Sequence, residues 1–136
     1  MGFFIFEEKF MLKNLFVIIL ALIIGSVVNM SLVITGHEIF PLTDGFDPKN
    51  AMHWELRHFV FPFLAHALGT LSGSFIVAKF CTSYHKIFAL SIGAFFLIGG
   101  VMMVFIIPAP IWFLLLDLII SYIPMGYLGW KIVQNN

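Results

Sequence analysis

Residues 58–80, HFVFPFLAHALGTLSGSFIVAKF, form an apolar run long enough to cross a bilayer as a helix, since about 20 helical residues span the hydrocarbon core. On helical geometry, Pro62, His66, Gly69 and Gly73 fall along one face. Small and polar residues of this kind are enriched where membrane helices pack against each other, and a lipid-facing helix does not need them. We therefore expect this face to contact other helices and His66 to point into the protein interior.

The composition of the whole chain is that of a membrane protein. Of its 136 residues, 61% are hydrophobic and 10% are charged, and a soluble domain of this size could not bury so much apolar surface. We predict an all-α, polytopic membrane protein: a single domain with four transmembrane helices in an antiparallel bundle. The predicted spans are about 14–36, 58–80, 87–108 and 111–131.

The N-terminal segment and the distribution of lysines indicate how the chain is oriented in the membrane. Segment 1–13, MGFFIFEEKFMLK, mixes phenylalanines with charges and is typical of a segment lying at the headgroups. It could also begin a signal peptide, but the apolar run after it continues without a cleavage site, so we expect the first span to be retained. By the positive-inside rule both termini are predicted to be cytoplasmic, because their side carries five lysines and the other side carries only Lys49 and Arg57. These five are Lys9, Lys13, Lys79, Lys86 and Lys131.

The segment 37–57 is the only long loop and is predicted to face outward. It contains several turn signals, including Asp44-Gly45. Asp47 followed by Pro48 has the pattern of a helix N-cap and first helical residue, which predicts a helix that begins there and runs into the second span.

Small residues recur on the predicted spans with spacings that place them on packing faces. Such stripes let helix backbones approach closely. They could serve contacts between copies as readily as contacts within one chain, so we expect a homo-oligomer or a larger membrane complex. The predicted packing glycines are Gly25, Gly69, Gly73, Gly93 and Gly100.

Three polar residues fall at similar depth in the outer half of the predicted membrane region: Asn29, His66 and Asp117. An aspartate at the centre of a membrane helix costs about 2.5–3.5 kcal/mol on the insertion scale, so such groups usually have a partner or a wet cavity. We predict that Asp117 and His66 meet, with Asn29, Ser121 and Thr70 completing a polar centre. The alternative is that the pair only holds two helices together.

The end of the outer loop supplies a second cluster, His53, Glu55 and His58. Glu55 and His58 have the Glu-x-x-His spacing of di-metal helical bundles. A di-metal site needs two such motifs and the chain has one, so these residues are weak metal candidates and a solvated surface is the favoured interpretation. His66 is the only deep histidine, which disfavours haem. We predict no cofactor.

Several classes of function are disfavoured by what the sequence lacks. The net charge is zero and there is no basic patch, which argues against a nucleic-acid partner. A single cysteine, Cys81, cannot form an internal disulfide or a dithiol redox site. Signatures of serine nucleophiles and phosphate loops are missing, so an enzyme is not the favoured class.

Three segments resemble stretches of short four-helix proteins of bacterial inner membranes, a group with no assigned activity. They are HALGTLSG at 66–73, IPAPIWF at 107–113 and LDLIISYIPMGYLG at 116–129. The resemblance implies a four-helix fold and a location in the bacterial cytoplasmic membrane. It implies no role for any residue.

Three hypotheses for function follow. The favoured one is a small transporter or channel-like protein in the lipid bilayer, which moves a small solute or a proton through the polar centre. The second is an accessory or assembly subunit of a larger membrane complex. The third is a membrane enzyme or cofactor protein that uses the loop cluster together with His66.

Overall fold

The structure is a computed structural model that describes all 136 residues, and its regular secondary structure is entirely helical. Helix α1 spans Gly2–Ile39, α2 spans Leu56–Phe80 and α3 spans His85–Ile106. Helices α4 and α5 span Ile111–Ile120 and Ile123–Gln134. Counting α4 and α5 as one segment, four helical segments are long and apolar enough to cross a membrane. The prediction of an all-α chain with four candidate spans is confirmed.

Helix α1 is longer than the predicted first span. It begins at Gly2, so residues 2–13 continue the same helix and do not form a separate element. With 38 residues it is about 57 Å long at about 1.5 Å per residue. That length exceeds the hydrocarbon core of a bilayer, which is about 30 Å thick.

Helix α2 lies at the centre of the bundle, and glycines set its distance from α1. A Cβ added to Gly25 would lie 2.7 Å from the carbonyl oxygen of Gly69, and one added to Gly69 would lie 2.8 Å from that of Gly25. A Cβ on Gly73 would lie 3.0 Å from the carbonyl oxygen of Ala21. These backbones therefore approach closely because side chains are absent, as is common where helices of membrane proteins pack together.

Helix α5 approaches its neighbours through two further glycines that the sequence analysis did not single out. A Cβ on Gly126 would lie 3.0 Å from a carbonyl oxygen of α3, and one on Gly129 would lie 2.7 Å from a side-chain carbon of α2. On α3, a Cβ on Gly93 would lie 2.8 Å from the carbonyl oxygen of Tyr122. Glycines thus line both sides of the α3–α5 contact.

The predicted fourth span, 111–131, is interrupted. Helix α4 ends at Ile120 and α5 begins at Ile123, with a turn at Ser121 and Tyr122 between them. The cause is Pro124, which has no N–H to donate to the carbonyl of Ile120 and whose ring would clash with that carbonyl in a continuous helix. The chain therefore unwinds beside the polar residues of α4.

The prediction that a helix begins at Pro48 is wrong. The loop contains only a 3-10 turn at Ala51–His53, and α2 begins at Leu56. The Oδ1 atom of Asp47 accepts a hydrogen bond from the backbone N–H of Lys49 over 2.8 Å. Short polar side chains can support either a helix start or a local turn, and here the turn is formed.

The loop is held against the end of the bundle by backbone contacts. The N–H of Ala51 donates to the carbonyl of Pro108 over 2.8 Å, which ties the loop to the α3–α4 link. The indole N–H of Trp54 donates to the carbonyl of Asp47 over 3.0 Å, which closes the loop on itself. The loop therefore covers one end of the bundle as an ordered segment.

At the opposite end of the bundle the core is apolar. Small and branched side chains from α1, α2 and α3 pack together there, and close packing of this kind leaves little room for water. The buried residues of this apolar core are Val17, Ala21, Val77, Ala78, Cys81, Ala89 and Ile92.

Candidate functional site

The centre of the candidate site is the contact between His66 on α2 and Asp117 on α4. The Nδ1 atom of His66 lies 2.9 Å from Oδ1 and 2.8 Å from Oδ2 of Asp117. Asp117 is 5% exposed, and the side chain of His66 is 24% exposed. A carboxylate can only accept hydrogen bonds, so Nδ1 carries the proton and donates it to both oxygens. The structure therefore brings together the two residues that the sequence analysis placed at one depth.

Two hydroxyl groups complete the environment of the carboxylate. The Oγ of Ser121 donates to Oδ1 of Asp117 over 2.9 Å, and the hydroxyl of Tyr122 donates to Oδ2 over 3.3 Å. The ring of Tyr122 also stacks on the ring of His66, with centroids 5.8 Å apart and planes at 27°. Each carboxylate oxygen is thus shared between the imidazole and one hydroxyl, which offsets the cost of its burial.

Tyr122 was missed by the sequence analysis. A residue five positions after Asp117 would project from another face of an unbroken helix, and the turn before α5 is what brings the ring back to the site. Gly100 on α3 makes room, since a Cβ there would collide with the Tyr122 ring and hydroxyl. Pro124 and Gly100 were therefore the signals in the sequence that could have identified Tyr122.

Two other predicted members of the polar centre, Thr70 and Asn29, do not hydrogen-bond to the side chains of the pair. The hydroxyl of Thr70 donates to the backbone carbonyl of His66 over 2.8 Å, a bond within its own helix. Asn29 packs against the backbone of Gly69: a Cβ added to Gly69 would lie 3.0 Å from the Cβ of Asn29. The amide of Asn29 makes no side-chain hydrogen bond within the protein.

The His66–Asp117 pair borders a cavity of about 250 Å³. The cavity is bordered by the 40–55 loop and by parts of α1, α2, α3 and α4. His66 and Asp117 lie at one end of it, and loop residues such as Leu42 and Trp54 lie at the other. Most of its wall is apolar, and its titratable or charged lining residues are His37, Arg57, His58, His66 and Asp117. The pair is thus not sealed in the protein interior.

His58 lines the same cavity but its ring is fixed by other groups. Its Nδ1 accepts a hydrogen bond from the backbone N–H of Glu55 over 3.2 Å, which assigns the proton of the neutral ring to Nε2. The residue is 7% exposed, and Nε2 has no hydrogen-bond partner. The rings of Phe46 and Trp54 lie at 5.8 and 6.3 Å from its centroid. An unpaired buried donor costs about 1–3 kcal/mol.

The three loop residues named as weak metal candidates do not form one cluster, although Glu55 and His58 meet in a capping box at the start of α2. His53 is exposed, and the Oε2 of Glu55 pairs with Nε of Arg57 over 2.8 Å. His58 uses Nδ1 as a helix cap. No group of three or more His, Cys, Asp or Glu side chains is positioned to hold a metal ion.

A polar contact that the sequence analysis did not consider ties the opposite end of the bundle. The Oδ1 atom of the buried Asn14 accepts hydrogen bonds from the N–H and the hydroxyl of Thr82 over 2.9 and 3.0 Å. This contact joins α1 to the link between α2 and α3, and every polar atom involved is paired. Its role is therefore in holding the helices together.

Comparison with known proteins adds no assignment to this geometry. No protein-family model matches the chain, no curated protein matches it, and no solved structure matches it.

Proposed function

We propose that this protein is a small membrane transporter that binds a solute in the cavity beside His66 and uses the His66–Asp117 pair to couple that binding to a proton. The single observation that supports the proposal is the position of the pair: a hydrogen-bonded imidazole and buried carboxylate border a cavity of about 250 Å³. Ionisable residues in membrane segments are rare and usually mark solute or proton pathways.

The proposal includes a membrane topology. The four helical segments would cross the bilayer as an antiparallel bundle with both termini in the cytoplasm, as the lysine distribution predicts. The cavity and the 40–55 loop would then face outward, and the apolar core around Val77 and Ala89 would lie toward the cytoplasm. A solute would enter from the outer side.

Within this class, a transporter is favoured over an open channel. A channel needs a continuous wet path, whereas the lining of the cavity includes no member of the apolar core at the other end. The Gly25–Gly69 backbone contact lies next to the pair on that side. Passage would require these packed helices to separate while the outer loop closes, as in alternating access.

The histidine gives the site its proton chemistry. Histidine is the side chain whose ordinary titration falls nearest to physiological pH, and Nδ1 of His66 already donates to Asp117. A second proton on Nε2 would make an imidazolium beside a carboxylate, a combination that a buried site accommodates better than either charge alone. Uptake and release of this proton would accompany the solute.

Proteoliposomes that contain a pH-sensitive dye test the proposal. Organic acids, amines, sugars and inorganic ions are added outside one class at a time, and proton movement is recorded. Organic acids and amines cross bilayers unaided in their neutral forms, so the signal is the proton movement beyond that in protein-free liposomes. We expect one class to produce such an excess with the wild-type protein, and the Asp117→Asn and His66→Gln variants to show none. His53→Gln is the matched control, since His53 is exposed and does not line the cavity.

The alternative outcomes are distinct. If no class drives more proton movement with assembled wild-type protein than in protein-free liposomes, the transporter proposal is wrong. If His66→Ala instead lowers recovery of a co-purifying membrane protein, the pair serves an accessory subunit of a complex.

A further inference from the structure

The substrate class can be narrowed by the charges that the cavity offers, an inference that rests on the function proposed above. The one carboxylate in the lining is that of Asp117, and four lining side chains are basic. The acidic residues at the end of α1 and in the loop that follows it do not line the cavity; they are Glu38, Asp44, Asp47 and Glu55. The wall is therefore poor in acceptors for a cation.

The carboxylate of Asp117 is already occupied. Its oxygens receive hydrogen bonds from the imidazole of His66 and the hydroxyls of Ser121 and Tyr122, and the residue is 5% exposed. A cationic solute would have to displace these donors to reach it. This arrangement disfavours amines and metal cations as ligands.

The group that remains free at the inner end of the cavity is the second nitrogen of His66. Since Nδ1–H donates to Asp117, Nε2 of the neutral ring keeps its lone pair. A carboxylic acid can donate its O–H to this atom: the O–H bond breaks, an N–H bond forms on Nε2, and the carboxylate stays hydrogen-bonded to the imidazolium. Asp117 balances the charge that appears on the ring.

The other groups near His66 are compatible with this proton transfer. Tyr122 from the α4–α5 turn is the only other titratable side chain stacked on the ring. Helix α3 contributes Gly100, Met103 and Val104, none of which titrates. His37 from α1 and Arg57 from α2 line the part nearer the loop, where Arg57 is paired with Glu55 and the ring of His58 is neutral. Apart from Asp117, the lining holds no carboxylate that would repel an anion.

The remaining walls set the size and polarity of the ligand. They are mainly apolar, and the volume of about 250 Å³ lies just below the range of about 300–1,000 Å³ typical of sites for drug-sized molecules. We propose that the cavity binds a small apolar monocarboxylic acid, with its carboxyl group against Nε2 of His66, its body against the apolar wall, and one proton taken up with each anion.

Calorimetry on the full chain in nanodiscs tests this. Three probes of matched shape are compared at neutral pH: benzoate, benzyl alcohol and benzylammonium. We expect benzoate to bind at least about tenfold more tightly than the other two. Titration in buffers of different ionisation enthalpy should show uptake of about one proton per benzoate.

Variants assign the effect to His66. We expect His66→Gln to weaken benzoate binding at least about tenfold and to abolish the proton uptake; His53→Gln should change neither. Val104→Phe should fill part of the cavity and leave the His66–Asp117 pair in place, so it should also weaken benzoate binding. It replaces His66→Gln as the test if that variant fails to assemble. Equal affinity for all three probes, tighter binding of benzylammonium, or benzoate binding without proton uptake would overturn the inference.

The two proposals fail separately. Benzoate that binds as expected but drives no more proton movement in proteoliposomes than in protein-free liposomes leaves the carboxylic acid site in place and removes the transport function. Proton movement driven by another solute class, with no preference for benzoate in binding, supports the transport function and removes the carboxylic acid site.

Discussion

The hydroxyl of Tyr122 donates a hydrogen bond to Oδ2 of Asp117 over 3.3 Å, across the turn that separates α4 from α5. The same turn places the Tyr122 ring on His66. A break in a membrane helix exposes backbone groups and is normally found where it is buried in protein or lines a cavity. Here the break supplies one of the donors that hold the buried carboxylate.

Removing the Tyr122 hydroxyl should weaken the site without removing its packing. We expect Tyr122→Phe to lower the free energy of unfolding by about 0.5–1.5 kcal/mol, since one hydrogen bond is lost and the ring remains. Unfolding in mixed detergent micelles measures the change. Tyr84→Phe is the control, because Tyr84 is 69% exposed and its hydroxyl makes no hydrogen bond. Equal stability of Tyr122→Phe and wild type would show that the hydroxyl does not support Asp117.

Breaking the central pair should cost more. Asp117→Ala leaves the donors of His66, Ser121 and Tyr122 without their acceptor, and we expect a loss of about 1–3 kcal/mol in the free energy of unfolding. A double-mutant cycle with His66→Ala and Asp117→Ala should give a coupling energy of about 0.5–3 kcal/mol. A control cycle that pairs His85→Ala with Asp117→Ala should give no coupling energy, because the ring of His85 bonds to the carbonyl of Ala78. Additive effects of the His66 and Asp117 substitutions would contradict the contact.

Alanine should have opposite effects at a glycine of the α1–α2 contact and at a glycine of α3 that has open space beside it. Gly25→Ala would place a methyl group 2.7 Å from a backbone oxygen of α2, and we expect it to destabilise the protein by about 1–3 kcal/mol. Gly99→Ala meets no atom within 4 Å, and alanine is favoured over glycine in a helix by about 1 kcal/mol. Thermal unfolding should therefore rank Gly99→Ala at or above wild type and Gly25→Ala below it. The reverse order would rule out the backbone contact.

Cys81 is predicted to be inert toward maleimides at neutral pH. It is 5% exposed, and burial raises the pKa of its thiol, an effect that nearby Lys13 partly opposes. The thiolate is the reactive form, so a raised pKa lowers the reactive fraction at neutral pH and makes labelling faster as the pH rises. Mass spectrometry after labelling measures this, with the exposed Asp44→Cys as the reactive control. Equal rates at both positions would contradict the burial of Cys81.

The same reagent tests the proposed topology. In a Cys81→Ser background, a membrane-impermeant maleimide added to intact cells should label Asp44→Cys in the outer loop. Asn136→Cys at the C-terminus should be labelled only after the membrane is permeabilised. Labelling of Asn136→Cys in intact cells would place the C-terminus outside and reverse the orientation.

Much of this fold could be predicted from the sequence because membrane helices are set by composition and length. The Asp117–His66 contact was predicted from their similar depth and from the need of a buried carboxylate for a partner, and Ser121 followed from its i+4 spacing to Asp117. Thr70 and Asn29 lie at suitable depths, but depth does not fix azimuth. Thr70 bonds its own helix backbone, as hydroxyl side chains in helices often do.

What the sequence did not predict depends on breaks in helices. Pro124 interrupts the fourth span and so redirects Tyr122 toward Asp117, and no periodic pattern describes a side chain beside a break. Asp47-Pro48 could start either a helix or a turn, and the contact between Ala51 and Pro108 accompanies the turn. Such choices are made by tertiary contacts that local sequence does not contain.

The central claim is that His66 exchanges a proton with the outer solution while it is bonded to Asp117. Solid-state ¹⁵N NMR of the His66 ring in sealed proteoliposomes of uniform orientation tests it most directly, with the internal pH held constant. We expect acidification of the external solution alone to convert Nε2 to its protonated form while Nδ1 stays hydrogen-bonded to the carboxylate. If the ¹⁵N shifts of the His66 ring do not change with the external pH, or if Nδ1 shows no hydrogen bond to Asp117, the account is contradicted.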